Sequence, residues 1–375
     1  RRCFRRYIKM SVEKNIKVSI LGATGMVGQN CLRLLENHPW FQVVDVAASE
    51  RSSGKAYKEA VEGKWAMESE IPDEISNLIV RNVHDYDTIP SDVTCVFSAL
   101  DLQGKKETRD FEFGYAKAGY AVISTSSANR QTRDVPMIIP EINANHSDVI
   151  PNQQKNRNLP SSGFVAVKPN CSIQSYIVVL EAIKQAGFPV DRAQVTTLQA
   201  LSGAGYKALT NPDLQENVVP FIDGEEEKTE KEPLKIFGEV TESGIIQSTA
   251  LNVNAVCTRV PVVDGHTAVV HIGFSGETPS LNEFKSILST FTAEPQSLSL
   301  PSAPEPPIIV LDDIDRPQPK LDKDSGNGMA VTVGRIAEDT FFDIRFIGMS
   351  HNTVRGASGG AILMAELLAE KGYIS

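Results

Sequence analysis

The stretch IKVSILGATGMVG, residues 16–28, decides the predicted fold of this chain. It begins with six largely apolar, partly β-branched residues, as in a buried strand, and continues with Gly22, Gly25 and Gly28 at intervals of three. A helical pattern of apolar residues follows. Glycines between a strand and a helix let the backbone turn tightly and approach a pyrophosphate, which the helix N-terminus attracts. The stretch therefore predicts a dinucleotide-binding strand–turn–helix unit, with a purely structural turn as the alternative.

The residues after the next predicted strand indicate which dinucleotide binds. This strand, Phe41–Ala48, is followed by Ser49-Glu50-Arg51-Ser52. An NAD site would place an acid on the ribose diol at this point, and Glu50 keeps that alternative open. Ser49, Arg51 and Ser52 instead supply donors suited to a 2′-phosphate. The pattern favours NADP over NAD.

Strands alternate with helical stretches through the first half of the chain, which predicts an α/β domain with a doubly wound parallel sheet of the Rossmann type. Later strands have long connections, which predicts an α+β domain with a mostly antiparallel sheet. The predicted strands are Ile16–Leu21, Phe41–Ala48, Thr94–Leu100, Tyr120–Thr125, Val165–Lys168, Val195–Leu201, Ala250–Val263, Ala268–Phe274, Ala330–Ile336 and Phe341–Gly348.

Three segments interrupt this pattern. The polar tract Pro151–Gly163 is predicted to be a surface insertion. Two further segments are predicted to leave the regular strand pattern as excursions, that is, as irregular surface segments, and to contribute to a subunit interface. They are the charged Asp223–Lys235 and the proline-rich Leu300–Pro319. A final helix, Ala357–Lys371, is expected to pack back on the first domain. The predicted division is residues 10–168 plus 350–375 for the NADP-binding domain and 169–349 for the catalytic and dimerisation domain, with 1–9 as an extension.

The composition is that of an acidic globular protein. The chain has 375 residues, against ~150 for one typical domain. Its 41% hydrophobic and 22% charged residues exclude a disordered chain. The net charge is −10, although residues 1–9 carry five basic side chains and no acidic one. This acidic balance argues against binding to nucleic acid or to an anionic membrane.

Cysteine usage and hydropathy indicate the compartment. The five cysteines are widely spaced and form no CxxC pair, so no disulfide framework is expected. No apolar run reaches the ~20 residues that span a bilayer. These features predict a soluble, cytoplasmic protein. A mitochondrial address is the alternative interpretation of the basic residues 1–9.

Cys171 is the candidate nucleophile. It stands in Pro169-Asn170-Cys171-Ser172, between a predicted strand and a helix predicted over Ser175–Gln185. A cysteine near a helix N-terminus is expected to have a lowered thiol pKa and free N–H groups that can hold an oxyanion. The alternative is a buried apolar role, which we expect for Cys31, Cys95 and Cys257.

A thiolate needs a proton partner, and two of the six histidines are candidates. His266 lies at the entry to a predicted strand and His351 lies between a strand and the last helix. His271 is expected to pack inside a strand. The pattern alone leaves both candidates open.

Two other catalytic motifs are incomplete in this sequence. Gly356-Ala357-Ser358-Gly359-Gly360 matches G-x-S-x-G, but no histidine follows Ser358, so a tight helix contact is expected there. His266 and His271 lack both helical i, i+4 spacing and cysteine partners, so no metal is expected.

The sequence resembles the aspartate-semialdehyde dehydrogenase family, in its fungal and archaeal branch, from about Ile16 to the last helix. The resemblance rests on the order and spacing of many short motifs. They are Gly22 to Gly28, Ser98-Ala99-Leu100, Ser126 to Arg130, Pro140-Glu141-Ile142-Asn143, Pro169 to Ser172, Gln199 to Gly205, Glu232-Pro233-Leu234-Lys235, Arg259 with His266, and Asn352 to Ala357.

The resemblance implies roles for individual residues. Cys171 would form a thioester, with Asn170 orienting the acyl group and Gln199 placing the carbonyl. His266 would be the general acid/base, in preference to His351. The implied substrate-binding residues are Arg259 for the α-carboxylate, Glu232 for the α-ammonium (with Glu230 as the alternative), Arg130 and Lys235 for phosphate, and Gly203. The implied NADP-binding residues are Gly22, Thr24, Gly25, Met26, Val27, Ser49, Arg51, Ser52, Ser98, Leu100 and Asn352.

The resemblance also implies the reaction. It is the NADPH-dependent reduction of 4-phospho-L-aspartate to L-aspartate 4-semialdehyde and inorganic phosphate, on the route to homoserine, threonine and methionine, by a homodimer or homotetramer. Another cysteine-dependent acyl reductase, acting on N-acetyl-glutamyl phosphate or malonyl-CoA, is the nearer alternative. A non-enzymatic NADP-binding sensor is the more distant one.

Overall fold

A computed structural model describes residues 14–100, 102 and 104–375. The predicted extension at residues 1–9 lies outside the described residues. The strands are β1 Ile16–Leu21, β2 Phe41–Ala48, β3 Arg81–Asn82, β4 Val93–Ser98, β5 Ala121–Ser124, β6 Phe164–Val167, β7 Val190–Gln199, β8 Glu239–Thr241, β9 Gly244–Ile246, β10 Asn252–Arg259, β11 His266–Phe274, β12 Ile308–Val310, β13 Val331–Glu338 and β14 Ile344–Ser350.

Helices connect most of these strands. They are α1 Met26–Leu34, α2 Tyr57–Ala60, α3 Asp73–Ser76, α4 Lys105–Lys117, α5 Pro140–Asn143, α6 Ile150–Arg157, α7 Ile177–Gln185, α8 Tyr206–Leu209, α9 Glu225–Ile236, α10 Leu281–Thr290, α11 Glu294–Ser297, α12 Pro319–Asp322 and α13 Gly359–Glu370. None of them is long and apolar enough to cross a membrane.

The first sheet has six parallel strands in the order β3-β2-β1-β4-β5-β6. Its strands are buried on both faces, and successive residues alternate between two cores. Phe97 packs in the core that contains α1 and α13, whereas Val96 packs in the core that contains α4 and α7. The chain reverses direction across the sheet beside β1, which opens a crevice at the carboxyl ends of β1 and β4. The predicted doubly wound sheet is confirmed.

The second sheet has the order β10-β7-β11-β14-β13-β12. Its three central pairings are antiparallel and its two edge pairings are parallel. Because β10 and β7 run parallel and in register, Arg259 and Gln199 end side by side. Since β11 runs antiparallel to β7, its first residue, His266, reaches the same edge. The topology thus gathers three of the predicted site residues at one edge.

The tract Pro151–Gly163 lies mostly at the surface, as predicted, but it is not an irregular insertion. Most of this tract is α6, and its Gln153 is fully buried. The Gln153 amide accepts from the Val165 N–H at 2.8 Å and donates to the Val165 carbonyl at 2.9 Å, so it completes the outer edge of β6. A polar composition concealed this role because the buried polar group pairs with backbone rather than with water.

Candidate active site

Cys171 lies in the turn that leaves β6, at the N-terminal cap position of a short 3₁₀ helix, Ser172–Ser175. The helix predicted to begin at Ser175 begins at Ile177, as α7. The Cys171 Sγ lies 3.4 Å from Asn170 Oδ1 and 3.4 Å from His266 Nε2. At Gly356 a side chain is excluded, because a Cβ there would lie 2.8 Å from the Cys171 Cβ. The structure brings together the predicted nucleophile and one of its two candidate histidines.

His266 is fully buried and held at both ring nitrogens. Its Nδ1 accepts from the Ala200 N–H at 3.0 Å, while Nε2 faces the sulfur. His351 instead has polar contacts with Thr353 and, at 3.8 Å, with Asp324. The structure therefore places His266, and not His351, in contact with the thiol.

Arg259 and Gln199 lie at the neighbouring strand ends. The Arg259 Nη1 donates to the Ala200 carbonyl at 2.7 Å. Gly203 lies against both Arg259 and His266, because a Cβ at this position would lie 3.0 Å from the Arg259 Nη1 and from the His266 Cε1. Any side chain at position 203 would therefore press the guanidinium and the imidazole out of place.

Glu225 is the site residue that the sequence analysis missed. It is the first residue of α9 and only 6% exposed. Its carboxylate accepts from Asn170 Nδ2 at 2.7 Å, from Gln199 Nε2 at 3.1 Å and from Lys228 Nζ at 3.0 Å. Burial alone would raise the pKa of the Glu225 carboxyl, but the Lys228 charge and these hydrogen bonds bring it below its usual value. A carboxylate is thus held beside the residues that surround the thiol.

The charged segment Asp223–Lys235 is therefore not an excursion. It forms most of α9, which packs on β10 and carries Glu225 and Lys228 to the site. The i, i+3 spacing of these two residues, which places them side by side on a helix, is the sequence feature that could have identified them. The ammonium and phosphate roles were assigned instead to Glu232 and Lys235, a glutamate and a lysine with the same spacing.

Glu232 and Lys235 have structural contacts that conflict with their expected roles. Glu232 accepts from the Asn170 N–H at 2.6 Å and from Arg130 Nη1 at 3.0 Å. Lys235 is 2% exposed and donates to the carbonyls of three residues in the 130–135 loop, each at 2.7 Å. Burial lowers the pKa of Lys235 to about 7. Both side chains are engaged by neighbouring protein groups, and the alternative, Glu230, accepts from the Ala255 N–H.

Arg130 is held in place but keeps donors to spare. It donates to the carbonyls of Thr125 and Lys168 and to Glu232, all within 3.1 Å. A guanidinium has five N–H donors, so these bonds leave capacity for an anion. Its charge lies close enough to the Cys171 thiol to favour the thiolate.

The pKa of the Cys171 thiol is raised, whereas a lowered pKa was expected at a helix N-terminus. Burial, followed by the Glu225 charge, raises the pKa of Cys171, while the charges of Lys168, Arg130 and Arg259 lower it by a smaller amount. The expected lowering is wrong for the free protein, since desolvation outweighs the short helix. Cys31, Cys95 and Cys257 are buried, and burial raises their pKa values as well.

The dinucleotide turn fits a pyrophosphate. Gly25 is exposed at the N-terminal cap position of α1, and no side chain of the described residues caps this helix. Gly22 has a φ of +78°, and a Cβ at Gly28 would lie 2.3 Å from the Gly22 carbonyl oxygen. The glycines therefore leave the first-turn N–H groups open to an anion.

Other predicted cofactor residues divide into two groups. Ser49 and Arg51 are exposed beyond β2, and the partly buried residues of this group are Thr24, Met26, Val27 and Ser52. Three others are buried. The Ser98 hydroxyl donates to Glu112, Leu100 is packed in the core, and the Asn352 amide joins Ser202 to the Gly265 N–H. The side chains of Ser98 and Asn352 are thus already hydrogen-bonded within the protein.

In the part of the chain that the structure describes, no three His, Cys, Asp or Glu side chains are grouped to hold a metal ion.

Ser358 donates to the Val27 carbonyl at 2.9 Å and is buried between α13 and α1.

A dinucleotide fold joined to a cysteine–histidine pair defines a class of dehydrogenases that act through a thiol. Two family models match the chain: "Semialdehyde dehydrogenase, NAD binding domain" over residues 17–150 and "Semialdehyde dehydrogenase, dimerisation domain" over residues 180–355. The chain belongs to the aspartate-semialdehyde dehydrogenase family, because relatives of that name are 41–42% identical to it over at least 95% of its length.

Individual relatives support this membership over nearly the full length. Aspartate-semialdehyde dehydrogenase of Methanothermobacter thermautotrophicus is 42% identical, covering 95% of this chain and 99% of the relative. That of Schizosaccharomyces pombe is 41% identical, covering 96% and 99%. A crystal structure of the enzyme with NADP from Candida albicans superposes with a TM-score of 0.86 at 37% identity, covering 97% of this chain and all of that one.

Proposed function

We propose that this protein reduces 4-phospho-L-aspartate to L-aspartate 4-semialdehyde, with NADPH as hydride donor, through a thioester on Cys171. The observation that carries the proposal is the Cys171–His266 contact of 3.4 Å, placed beside Arg259 and the Glu225 carboxylate. This set offers a nucleophile, one cation and one anion to a zwitterionic acyl substrate. Family membership supports the same reaction and its role in amino-acid biosynthesis from aspartate.

Substrate recognition is assigned to Arg259 and Glu225. The Arg259 guanidinium has a planar fork that suits the α-carboxylate, and one of its nitrogens is already fixed by the Ala200 carbonyl. Glu225 takes the α-ammonium, a role that we transfer from Glu232. An N-acetylated or thioester-linked CoA substrate has no free ammonium for this carboxylate, which favours the aspartyl substrate over those of sister reductases.

Phosphate recognition is assigned to Lys228 and Arg130. Lys228 is partly exposed beside Glu225, and Arg130 has donors to spare near the thiol. Together they give the phosphate two cations, while Lys235 remains behind them. Gln199 and Asn170, both bonded to Glu225, hold the reacting carbonyl.

NADP binding is assigned to the turn before α1 and to the residues after β2. The N–H groups beyond Gly25 bind the pyrophosphate, and Ser49, Arg51 and Ser52 bind the 2′-phosphate. The bound cofactor supplies a hydride to the thioester carbon. The NADP-bound relative from Candida albicans supports this assignment.

A homo-oligomer is part of the proposal. The matched dimerisation domain supports association, and apolar side chains of this region are exposed, with Phe221 at 61%, Val218 at 58% and Val263 at 60%. We assign them to the interface of a homodimer or homotetramer. Sedimentation tests the oligomeric state. A cytoplasmic location is also proposed, and cell fractionation tests it.

The activity is tested in the oxidative direction. NADPH absorbance is followed with L-aspartate 4-semialdehyde, NADP and inorganic phosphate, with NAD replacing NADP and with phosphate omitted. We expect steady turnover only with NADP and phosphate together. Absence of turnover by a folded protein that binds NADP would reject the proposed substrate.

The two lysines of α9 give a matched comparison. Lys228→Met is expected to raise the KM for phosphate about tenfold, because one cation at the phosphate is lost, with little change in Tm. Lys235→Met leaves three buried carbonyls without a donor, so we expect a loss of about 2–4 kcal/mol in the free energy of unfolding. Phosphate KM and thermal unfolding of both variants are measured. The reverse pattern would restore the phosphate role to Lys235.

A further inference from the structure

The peptide unit that joins Pro169 to Asn170 is held at both ends by buried side chains. Its carbonyl oxygen accepts from Lys168 Nζ at 2.6 Å, and its N–H donates to Glu232 Oε2 at 2.6 Å. Lys168 is 2% exposed and Glu232 is 1% exposed. Hydrogen bonds to charged groups are shorter and stronger than those between neutral groups. This peptide unit directly precedes Cys171, and the thioester route described above makes no use of Lys168.

We propose that Lys168 and Glu232 form a peptide clamp, which fixes the orientation of the Pro169–Asn170 peptide and thereby positions the Cys171 nucleophile. The proposal rests on the reaction assigned above. Lys168 and Glu232 are positioning residues in this proposal, because they act on the thiol through the backbone that carries it. Lys168 holds the carbonyl end of the peptide and Glu232 holds the N–H end.

The clamp acts on the rotation that the proline leaves free. The ring of Pro169 fixes its own φ, so the plane of the next peptide is set by ψ of Pro169 and φ of Asn170. Rotation of this plane would move the Asn170 side chain, whose Oδ1 lies 3.4 Å from the Cys171 Sγ and whose Nδ2 donates to Glu225 at 2.7 Å. A fixed peptide plane therefore keeps both the thiol and its neighbouring amide in register with the site.

The Lys168 side chain is itself fixed by its surroundings. Its backbone N–H donates to the Ser124 carbonyl at 2.8 Å, which anchors the residue to the end of β5. Its methylene chain passes close to Gly360 in the first turn of α13, where a Cβ would lie 2.9 Å from the Lys168 Cε. The Lys168 Nζ is therefore directed at the Pro169 carbonyl by packing, before any substrate binds.

Charged groups from several elements surround the Lys168 amine. Burial, followed by the Arg130 charge and with a smaller contribution from Arg355, lowers the pKa of Lys168 to about 7, whereas Cys171 and Glu232 raise it. A neutral amine and an ammonium both carry N–H groups, so Lys168 can donate to the carbonyl in either state. The clamp is therefore a geometric device, and it does not depend on the titration of Lys168.

Amide hydrogen exchange at Asn170, measured by NMR on the full-length protein, tests the clamp without any substrate. Labelling with [¹³C]proline and [¹⁵N]asparagine selects the amides of Asn170 and Asn152, which follow the two Pro-Asn pairs of the chain. Lys168→Met removes the donor but keeps an unbranched side chain of similar length. We expect exchange at Asn170 to become about tenfold faster, as for loss of one buried hydrogen bond, and exchange at Asn152 to stay unchanged.

Lys235→Met is the matched control, because Lys235 is equally buried but donates to other carbonyls. We expect it to leave the ratio of the two exchange rates unchanged. Unaltered protection of Asn170 in Lys168→Met would overturn the proposal. The same acceleration at Asn152, or in Lys235→Met, would also overturn it, since the effect would then be a general loosening of the fold.

A double-mutant cycle in the first turnover gives the second readout. NADPH formation from L-aspartate 4-semialdehyde without phosphate is timed for Lys168→Met, Glu232→Gln and the double variant, so that phosphate binding by Arg130 does not enter. We expect each single variant to lose ~10²-fold in the saturated rate, as for a misplaced nucleophile, with unchanged half-saturating concentrations of semialdehyde and NADP.

The double variant distinguishes a shared role from two separate ones. Because both residues hold one peptide, we expect it to lose no more than ~10-fold beyond the slower single variant. Losses that multiply, or that appear only in the half-saturating concentrations, would overturn the proposal. If the parent enzyme itself formed no NADPH, the proposed substrate would be rejected, whereas the exchange measurement would still decide whether the clamp exists.

Discussion

Cys171→Ala is expected to lose at least ~10⁴-fold in kcat, the largest effect of any single substitution. Loss of a covalent nucleophile removes the whole thioester route, and such losses reach ~10⁶-fold in well-studied cases. Steady-state assays in both directions, together with a single-turnover test for NADPH formation without phosphate, measure the effect.

A second buried cysteine provides the control. Cys257 lies on β10 with its sulfur 3.6 Å from the Thr229 hydroxyl. Cys257→Ala is expected to keep kcat within threefold. If Cys171→Ala retained more than one hundredth of the parent activity, the thioester mechanism would have to be abandoned.

Arg259→Met is expected to lose ~10²–10³-fold in kcat/KM for L-aspartate 4-semialdehyde, or about 3–4 kcal/mol. The substrate carboxylate would enter a buried site without its cation, and an uncompensated buried charge has a cost of this size. Steady-state kinetics with varied semialdehyde measure it, and the KM for NADP should change little.

Arg259→Lys separates charge from geometry. Lysine keeps the charge but not the planar fork, so we expect partial recovery, to within ~10–50-fold of the parent value. An unchanged semialdehyde KM in Arg259→Met would assign the carboxylate to another residue. A collapse of NADP binding would instead indicate that Arg259 acts through the fold.

The glycine turn and the cysteine were predictable because their chemistry is local. Gly22 to Gly28 lie between a strand and a helix in sequence as they do in the structure. Cys171 follows a strand and precedes a helix for the same reason. His266 could be separated from His351 only by the resemblance, since the contact with the thiol spans 95 residues.

The errors have a common cause. Two Glu-x-x-Lys pairs lie on one helix, and the sequence does not state which pair faces the thiol. Similarly, the polar residues of α6 reach solvent as predicted except for Gln153, which pairs with the backbone of β6. The thiol pKa was misjudged because helix position is visible in the sequence and desolvation is not. In each case a tertiary contact determines the role of a polar side chain.

The most direct test of the account is the mass of the Cys171 peptide after incubation with L-aspartate 4-semialdehyde and NADP in the absence of phosphate, followed by acid quenching and digestion. We expect one aspartyl thioester on Cys171, which disappears when phosphate is added before the quench. An unmodified Cys171 in enzyme that has formed one equivalent of NADPH, or an adduct on a different residue, would contradict the thioester mechanism.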